Sequence, residues 1–328
     1  MTKIVFLGPL GTYSHQAVIQ QFGDSDNTTT SQKQKYELIP ASTIPNCFDI
    51  LYNDKSIDYA VVPFENSTNG QVAFTYDLLR DWISKKENNF VLGSNEILPP
   101  LFAIAEQYVN VEHCLISPIP LDSIPSHFQN LYSHPQVWGQ INEYMNSKLN
   151  GKFDKRIDTT STADGIKQCI KDYNNTDGDK ILSLAIGSRI GAMINNAYII
   201  ESGINDLKGN TTRFLILQRN QEKNVCNSLA YDADHKEMVS LMLFTIKKNV
   251  PGCLVEVLNI LKDYGINMTS ISSRPSGKLE QNWEYVFYIE YIYDPSKPWK
   301  TEIYPKFNEK CISWCVWGIF NRNPDYYK

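Results

Sequence analysis

The sequence predicts an α/β protein with mostly parallel strand pairing, followed by a small ferredoxin-like module of βαββαβ order. Three observations carry this. Through the first two thirds of the chain, short apolar runs closed by turn residues alternate with segments of helical spacing. Residues 219–236 are then polar and aperiodic, which marks a linker. After them the order strand–helix–strand–strand–helix–strand fits within fewer than about a hundred residues.

Residues 4–7 form an apolar run closed by Gly8 and Pro9, the mark of a buried strand. From Ser14 the spacing is helical, with Ala17, Val18, Gln21 and Phe22. Residues 25–35 are polar and low in complexity and read as a loop. Residues 44–51 suit a short helix and 59–62 a buried strand ended by Pro63. Val72, Tyr76, Leu79 and Ile83 then mark one helix face. Residues 102–105 and 113–116 read as strands. Val137, Ile141, Tyr144 and Met145 give a helix after Ser133-His134-Pro135. Residues 182–186 are a strand, followed by Gly187-Ser188 and a helix through Ile194, and 215–217 are the last strand before the linker. Beyond it, 239–246, 266–271, 284–293 and 312–320 read as strands. Pro251-Gly252 opens a helix carrying Leu254, Val257, Leu258 and Leu261, which Gly265 stops. A second helix, in 299–308, is weakly signalled because Pro298 and Pro305 interrupt it.

A chain of 328 residues has room for two or three domains. We divide it as a catalytic domain 1–220, a linker 221–237 and a regulatory domain 238–328. A net charge of −5 without a dense Lys/Arg run excludes a nucleic-acid binder, so attraction for an anionic substrate must be local. Seven scattered cysteines, none in a Cys-x-x-Cys pair, argue against a zinc site and for a reduced, cytoplasmic chain. The first residues lack the features of a signal peptide, and no apolar stretch approaches the ~18 residues of a membrane span.

Three loops carry the candidate chemistry. The first, residues 8–16, joins a strand to a helix. Its glycines allow close backbone approach, its helix start favours an anion, and Thr12, Tyr13 and Ser14 add donors; Ser14 alternatively caps the helix. The second, residues 63–70, follows a buried strand directly and places Glu65, Asn66, Ser67 and Asn69 where open α/β sheets bind ligands; helix capping by Asn or Ser is the alternative. The third, Asn210-Thr211-Thr212-Arg213-Phe214, starts a strand. Arg213 either binds a carboxylate bidentately or pairs internally with an acid such as Asp206. His134, in Ser133-His134-Pro135-Gln136, sits at a similar strand end, and Ser161-Thr162 reads first as a helix cap and second as a ligand contact.

In these residues the chain resembles the prephenate dehydratase family. Gly-Pro-x-Gly-Thr-(Tyr/Phe)-Ser, Pro-x-Glu-Asn-Ser-x-x-Gly and Asn-x-Thr-Arg-Phe are all present in order. Ser133-His134-Pro135-Gln136, Ser161-Thr162 and Ala185-Ile186-Gly187-Ser188 extend the match. The variant Ser-His-Pro-Gln-Val-Trp-Gly-Gln and the loop from Pro63 to Val72 look most like the fungal enzymes. The C-terminal module resembles an ACT domain: Gly252-Cys253-Leu254-Val255 stands for Gly-Ala-Leu-Val, and Ser272-Ser273-Arg274-Pro275 for Glu-Ser-Arg-Pro. Ser272 replaces the family's Glu, so the mode of regulation by phenylalanine stays open while the catalytic assignment does not depend on it.

The resemblance implies a bilobed, type II periplasmic-binding-protein-like catalytic domain and a ferredoxin-like (βαββαβ) ACT domain. It implies a homodimer or homotetramer that takes prephenate to phenylpyruvate, carbon dioxide and water in phenylalanine biosynthesis. Aromatisation supplies the driving force, so no cofactor is expected. Departure of hydroxide needs a donor, and decarboxylation favours a dry cleft. The family gives the donor role to Thr212, with Arg213 holding a carboxylate, Glu65 and His134 as relay candidates, and Thr12, Tyr13, Ser14, Asn66, Ser67, Gly70, Ser161, Thr162 and Phe214 around the substrate. Gly252, Cys253, Leu254, Val255, Ser273, Arg274 and Pro275 would hold allosteric L-phenylalanine. Two rivals remain at this stage: an arogenate dehydratase, and a non-catalytic amino-acid sensor, against which the intact Thr212-Arg213-Phe214 argues. A fused chorismate mutase is not expected, since no long helical segment precedes Ile4.

Overall fold

The short apolar runs become strands, and strands also form where the sequence is too polar to announce them. The structure, a computed structural model, describes residues 1–23, 36–84, 94–175, 181–220, 237–247, 250–277 and 284–327. In chain order the first elements are β1 (Thr2–Leu7), α1 (Tyr13–Phe22), β2 (Tyr36–Ala41), α2 (Ile44–Asn53), β3 (Tyr59–Asn66), β4 (Gly70–Gln71), α3 (Ala73–Ser84) and β5 (Leu101–Asn110). Next come β6 (His113–Ser117), β7 (Phe128–Ser133), α4 (Pro135–Trp138), α5 (Asn142–Tyr144), β8 (Phe153–Asp158), α6 (Thr162–Asn174), β9 (Ser183–Ser188), α7 (Arg189–Ile194), β10 (Tyr198–Ser202) and β11 (Thr211–Arg219). The last are β12 (Met238–Ile246), α8 (Cys253–Asp263), β13 (Met268–Pro275), β14 (Tyr285–Tyr293), α9 (Tyr304–Lys310) and β15 (Cys311–Asn321). The expected loop 25–35 and the linker residues 221–236 lie outside the described residues. No helix among the described residues is long and apolar enough to cross a membrane.

The chain divides into two compact units, each built from three separated segments: 1–46, 65–70 and 108–214 in the first, and 47–64, 71–107 and 215–328 in the second. In the first unit β1 and β2 pair in parallel, Ile4 opposite Leu38. A five-stranded sheet runs β10-β6-β9-β7-β8. Its pairs β7–β8 and β7–β9 are parallel, but β6–β9 and β10–β6 are antiparallel, so this sheet is mixed where mostly parallel pairing was expected. The reason is physical: a strand covered on both faces, as β6 is at every position, reads as the same apolar run in either direction. One face packs Leu115, Leu131, Val137, Ile141 and Ile186, and another cluster gathers Ile116, Ile166, Cys169 and Ala192.

In the second unit a four-stranded antiparallel sheet runs β13-β14-β12-β15. Its helices α8 and α9 cover a core of Met242, Phe244, Val257, Ile260, Phe307 and Trp314. The weakly signalled helix exists as a π-helical turn, Trp299–Ile303, running into α9, whose Pro305 sits in the first turn where its missing N–H costs nothing. Residues 94–97 lie along β15: Trp314 N donates to Asn95 O (3.1 Å) and Ile97 N to Trp314 O (2.8 Å). Arg322, after β15, is buried against Glu106, with Nη1 3.3 and 3.2 Å from the two carboxylate oxygens and Glu290 at 3.9 Å.

Candidate active site

The first loop turns on two glycines at φ +90°, Gly8 and Gly11. Thr12 caps α1 by accepting from His15 N, and its own hydroxyl donates to Pro9 O at 3.0 Å. Thr12 is therefore the cap, its oxygen held within the loop, and Ser14, buried inside the first turn, is not. The Gly11 carbonyl accepts from Ser188 Oγ at 2.7 Å, and Ser188 Oγ in turn accepts from Gly191 N at the start of α7. A Cβ at Gly11 would lie 3.0 Å from Gly191 Cα. Gly11→Ala is thus expected to cost on the order of 2–3 kcal/mol, from the left-handed backbone and the crowding together. Gly70 also has a positive φ (+75°), but nothing lies within 4 Å of its would-be Cβ, so Gly70→Ala pays only the backbone part, about 1 kcal/mol. Urea midpoints of the two variants check the difference; equal losses would remove the close approach from the account.

The second and third loops meet. Asn66 Oδ1 accepts from the backbone N–H groups of Thr68 (3.0 Å) and Asn69 (2.8 Å). Those donors cannot reverse, so the amide nitrogen must face the other way. There it donates to Asn210 Oδ1 at 2.7 Å and to Thr212 Oγ1 at 3.0 Å. Ser67 ties the same loop down: its N–H donates to Thr211 O, and its Oγ accepts from Thr211 N and donates to Gly209 O. Side chains alternate along a strand, so Glu65 and Arg213 fall on the other side, their charges 3.8 Å apart. The internal partner of Arg213 is therefore Glu65; Asp206, the acid expected from sequence, accepts from Glu143 N instead. Arg213 also lies over the Tyr108 ring, and Phe214 beyond it is buried.

The remaining predicted residues cap helices at one edge of the five-stranded sheet, because β7, β8 and β9 run the same way. His134 caps α4, its Nδ1 accepting from Gln136 N at 3.3 Å, which puts the hydrogen of the neutral ring on Nε2. Burial holds its pKa below the ordinary 6.5, with Asp158 opposing. Ser161 caps α6 through Asp164 N, and Thr162 is buried in the first turn. Ser133 Oγ donates to Ile186 O at 2.8 Å.

Three polar residues join these loops: Asn210 and Gln140, which stand in motifs already singled out from sequence, and His113, which sequence reasoning missed. Asn210 Nδ2 donates to Gln140 Oε1 (3.1 Å); Gln140 Oε1 also lies 2.8 Å from His113 Nε2; and His113 Nδ1 lies 2.9 Å from Tyr13 Oη. A buried His at the first position of an apolar strand was the one available signal for His113.

The second and third loops thus bring together the Asn66 amide and the Thr212 hydroxyl, with the Glu65–Arg213 pair on the other side of the strands. The model of a family described as prephenate dehydratase matches residues 4–222. A protein of Saccharomyces cerevisiae (strain ATCC 204508 / S288c), described as a probable prephenate dehydratase, is 45% identical over 339 residues, covering 99% of this chain and 98% of that one. Among solved structures, prephenate dehydratase from Arthrobacter aurescens in complex with L-Phe matches with TM-score 0.71 and 19% identity, covering 98% of this chain and 90% of that one. GqqA, described as a novel type of quorum quenching acylase, matches with TM-score 0.68 and 21% identity over 99% of both chains. At these identities the two structures speak to fold alone.

Proposed function

The chain belongs to the prephenate dehydratase family, carbon–oxygen lyases acting in phenylalanine biosynthesis, and from that premise we propose how its residues carry out the reaction and its control. The single observation that carries the mechanism is the Asn66 amide pinned against Thr212 Oγ1. An oxygen that accepts a hydrogen bond is a better donor. Thr212 therefore presents its own hydrogen to the ring hydroxyl of prephenate as the carbon–oxygen bond breaks. The electrons of the bond to the ring carboxylate move into the ring, carbon dioxide leaves, and the departing hydroxide takes up one proton from solvent to leave as water, Thr212 keeping its own hydrogen at the end. Arg213, its field partly offset by Glu65, orients a substrate carboxylate. Thr12, Tyr13, Ser14, Ser67, Gly70, Ser161, Thr162 and Phe214 shape the surroundings, and His134 meets the ligand through Nε2.

The domain division 1–220, 221–237 and 238–328 is part of the same proposal, as are a bilobed catalytic part and a cytoplasmic homodimer or homotetramer. The ACT assignment is supported by the order β12-α8-β13-β14-α9-β15 and the strand order β13-β14-β12-β15. We place L-phenylalanine beside Gly252, Cys253, Leu254 and Val255 at the start of α8, and Ser273, Arg274 and Pro275 at the end of β13. Gly252 has φ +91° with open space around it, and Val255 is exposed. Arg274 is held bidentately by Asp77 of α3 (2.9 and 2.8 Å), and Arg80 Nη1 donates to Pro275 O (3.0 Å). Since α3 begins just after the Glu65–Gly70 loop in the chain, this pair offers a route from effector to catalysis. The purified protein is expected to form phenylpyruvate from prephenate, with turnover suppressed by L-phenylalanine. Turnover indifferent to phenylalanine would sink the regulatory assignment alone, and turnover of arogenate in preference to prephenate would overturn the substrate.

A further inference from the structure

Beyond Thr212 the polar contacts continue in one direction. The backbone N–H groups of Thr68 and Asn69 fix Asn66 with its amide nitrogen toward Asn210. Asn210 must then present Oδ1 to Asn66 and Nδ2 to Gln140. Gln140 must present Oε1 to Asn210, and the same oxygen meets His113 Nε2. Only a protonated Nε2 is compatible with that oxygen. In a neutral ring Nδ1 is then a bare acceptor, and the one hydrogen of the Tyr13 hydroxyl lies between it (2.9 Å) and the Glu112 carbonyl (3.0 Å). Burial favours the neutral ring by lowering the His113 pKa, against the opposing bond to Gln140. Burial also keeps the Tyr13 phenol protonated, reinforced by the Glu112 carboxylate. From Asn66 to His113 Nε2 every donor and acceptor is thus assigned by its neighbour, and Asn210 and His113 are both buried, where a reversed amide has no water to turn to.

We infer that His113, held as the neutral Nε2–H tautomer between Tyr13 and Gln140, is a positioning residue for the dehydration. It fixes Gln140 and Asn210 so that Asn66 donates to Thr212 and the Thr212 hydrogen is aimed at the leaving oxygen. This rests on the prephenate dehydratase assignment.

The test compares His113→Gln with His113→Asn. The Gln amide reaches the place of Nε2 and can still donate to Gln140; the Asn amide stops at the place of Nδ1. His113→Asn is expected to lower kcat by about tenfold to a hundredfold, the range usual for groups that orient a reacting one, with KM changed by less than about twofold. His113→Gln is expected to recover most of kcat at a similar Tm. Equal kcat in the two variants, or losses that follow Tm, would overturn the inference. Independently of folding of the variants, nitrogen-15 NMR of the wild-type histidines at neutral pH should show His113 as the Nε2–H tautomer; an Nδ1–H tautomer or an imidazolium would overturn it. A wild type that shows the Nε2–H signal but no turnover of prephenate overturns the substrate assignment, and the role of His113 with it. A wild type that turns over with the wrong tautomer overturns the role alone.

Discussion

Thr212→Ala lowers prephenate turnover by about a hundredfold to a thousandfold, the loss that follows removal of a single donor aimed at developing negative charge. The variant should fold as the wild type does, because the hydroxyl is not needed to satisfy its neighbour: the Asn66 amide keeps Asn210 Oδ1 and the Thr211 carbonyl. The loss should appear in kcat and in kcat/KM equally, the mark of an interaction made in the transition state and not on binding. Thr212→Ser keeps the hydroxyl and is expected to retain most activity. Steady-state kinetics of both variants, with urea midpoints alongside, check this; near-wild-type turnover in the alanine variant would remove Thr212 from the mechanism.

Arg322→Met is expected to destabilise the protein by about 3–5 kcal/mol, the usual cost of leaving a buried charge without its partner. Arg322 and Glu106 have side chains 1% and 0% exposed, and Glu290 stands 3.9 Å from the same guanidinium. Removing the cation leaves the carboxylates of Glu106, Glu237 and Glu290, all within 4 Å of it, without their shared counter-charge. The pair cannot be read as a generous source of stability, since desolvation offsets most of its attraction; what is large is the penalty for breaking it. Glu106→Gln combined with Arg322→Met should therefore lose less than the two single losses added together. Urea midpoints of the singles and the double complete the cycle, and an unchanged midpoint for Arg322→Met would show that water reaches the cluster.

The parts of this molecule legible from sequence were those with a local signature. Gly8, Gly11, Thr12, Glu65, Asn66 and Thr212 stand beside turns and strand ends, where residue type and spacing reveal the backbone they need. The structure brings Asn66 to Thr212 and Glu65 to Arg213. Strands β2, β8 and β10 escaped notice because they are only partly covered: β8 and β10 have no buried residue at all, so no apolar alternation marks them. The helix expected through Val137 and Met145 is broken into α4, α5 and a π-helical turn, since its apolar spacing reports one buried side and not the continuity of its backbone. His113, and the links that tie Gln140 and Asn210 to it, were out of reach for another reason. Their importance lies in hydrogen bonds between residues 27 and 70 positions apart, and a donor–acceptor chain leaves no periodicity.

The division of each unit into three separated segments has a consequence for synthesis. A chain is delivered from its N-terminus, and the first unit is complete once residue 214 has emerged. The second has its earliest segment made at 47–64 and its last at 215–328. Phe48, Leu51, Val61 and Leu79, all buried in the finished protein, thus belong to a unit whose largest segment is made last. Contacts this distant in sequence form slowly, because loop closure has to precede them. The nascent chain thus carries a half-made core, open to chaperones and to aggregation, until its last residues leave the ribosome.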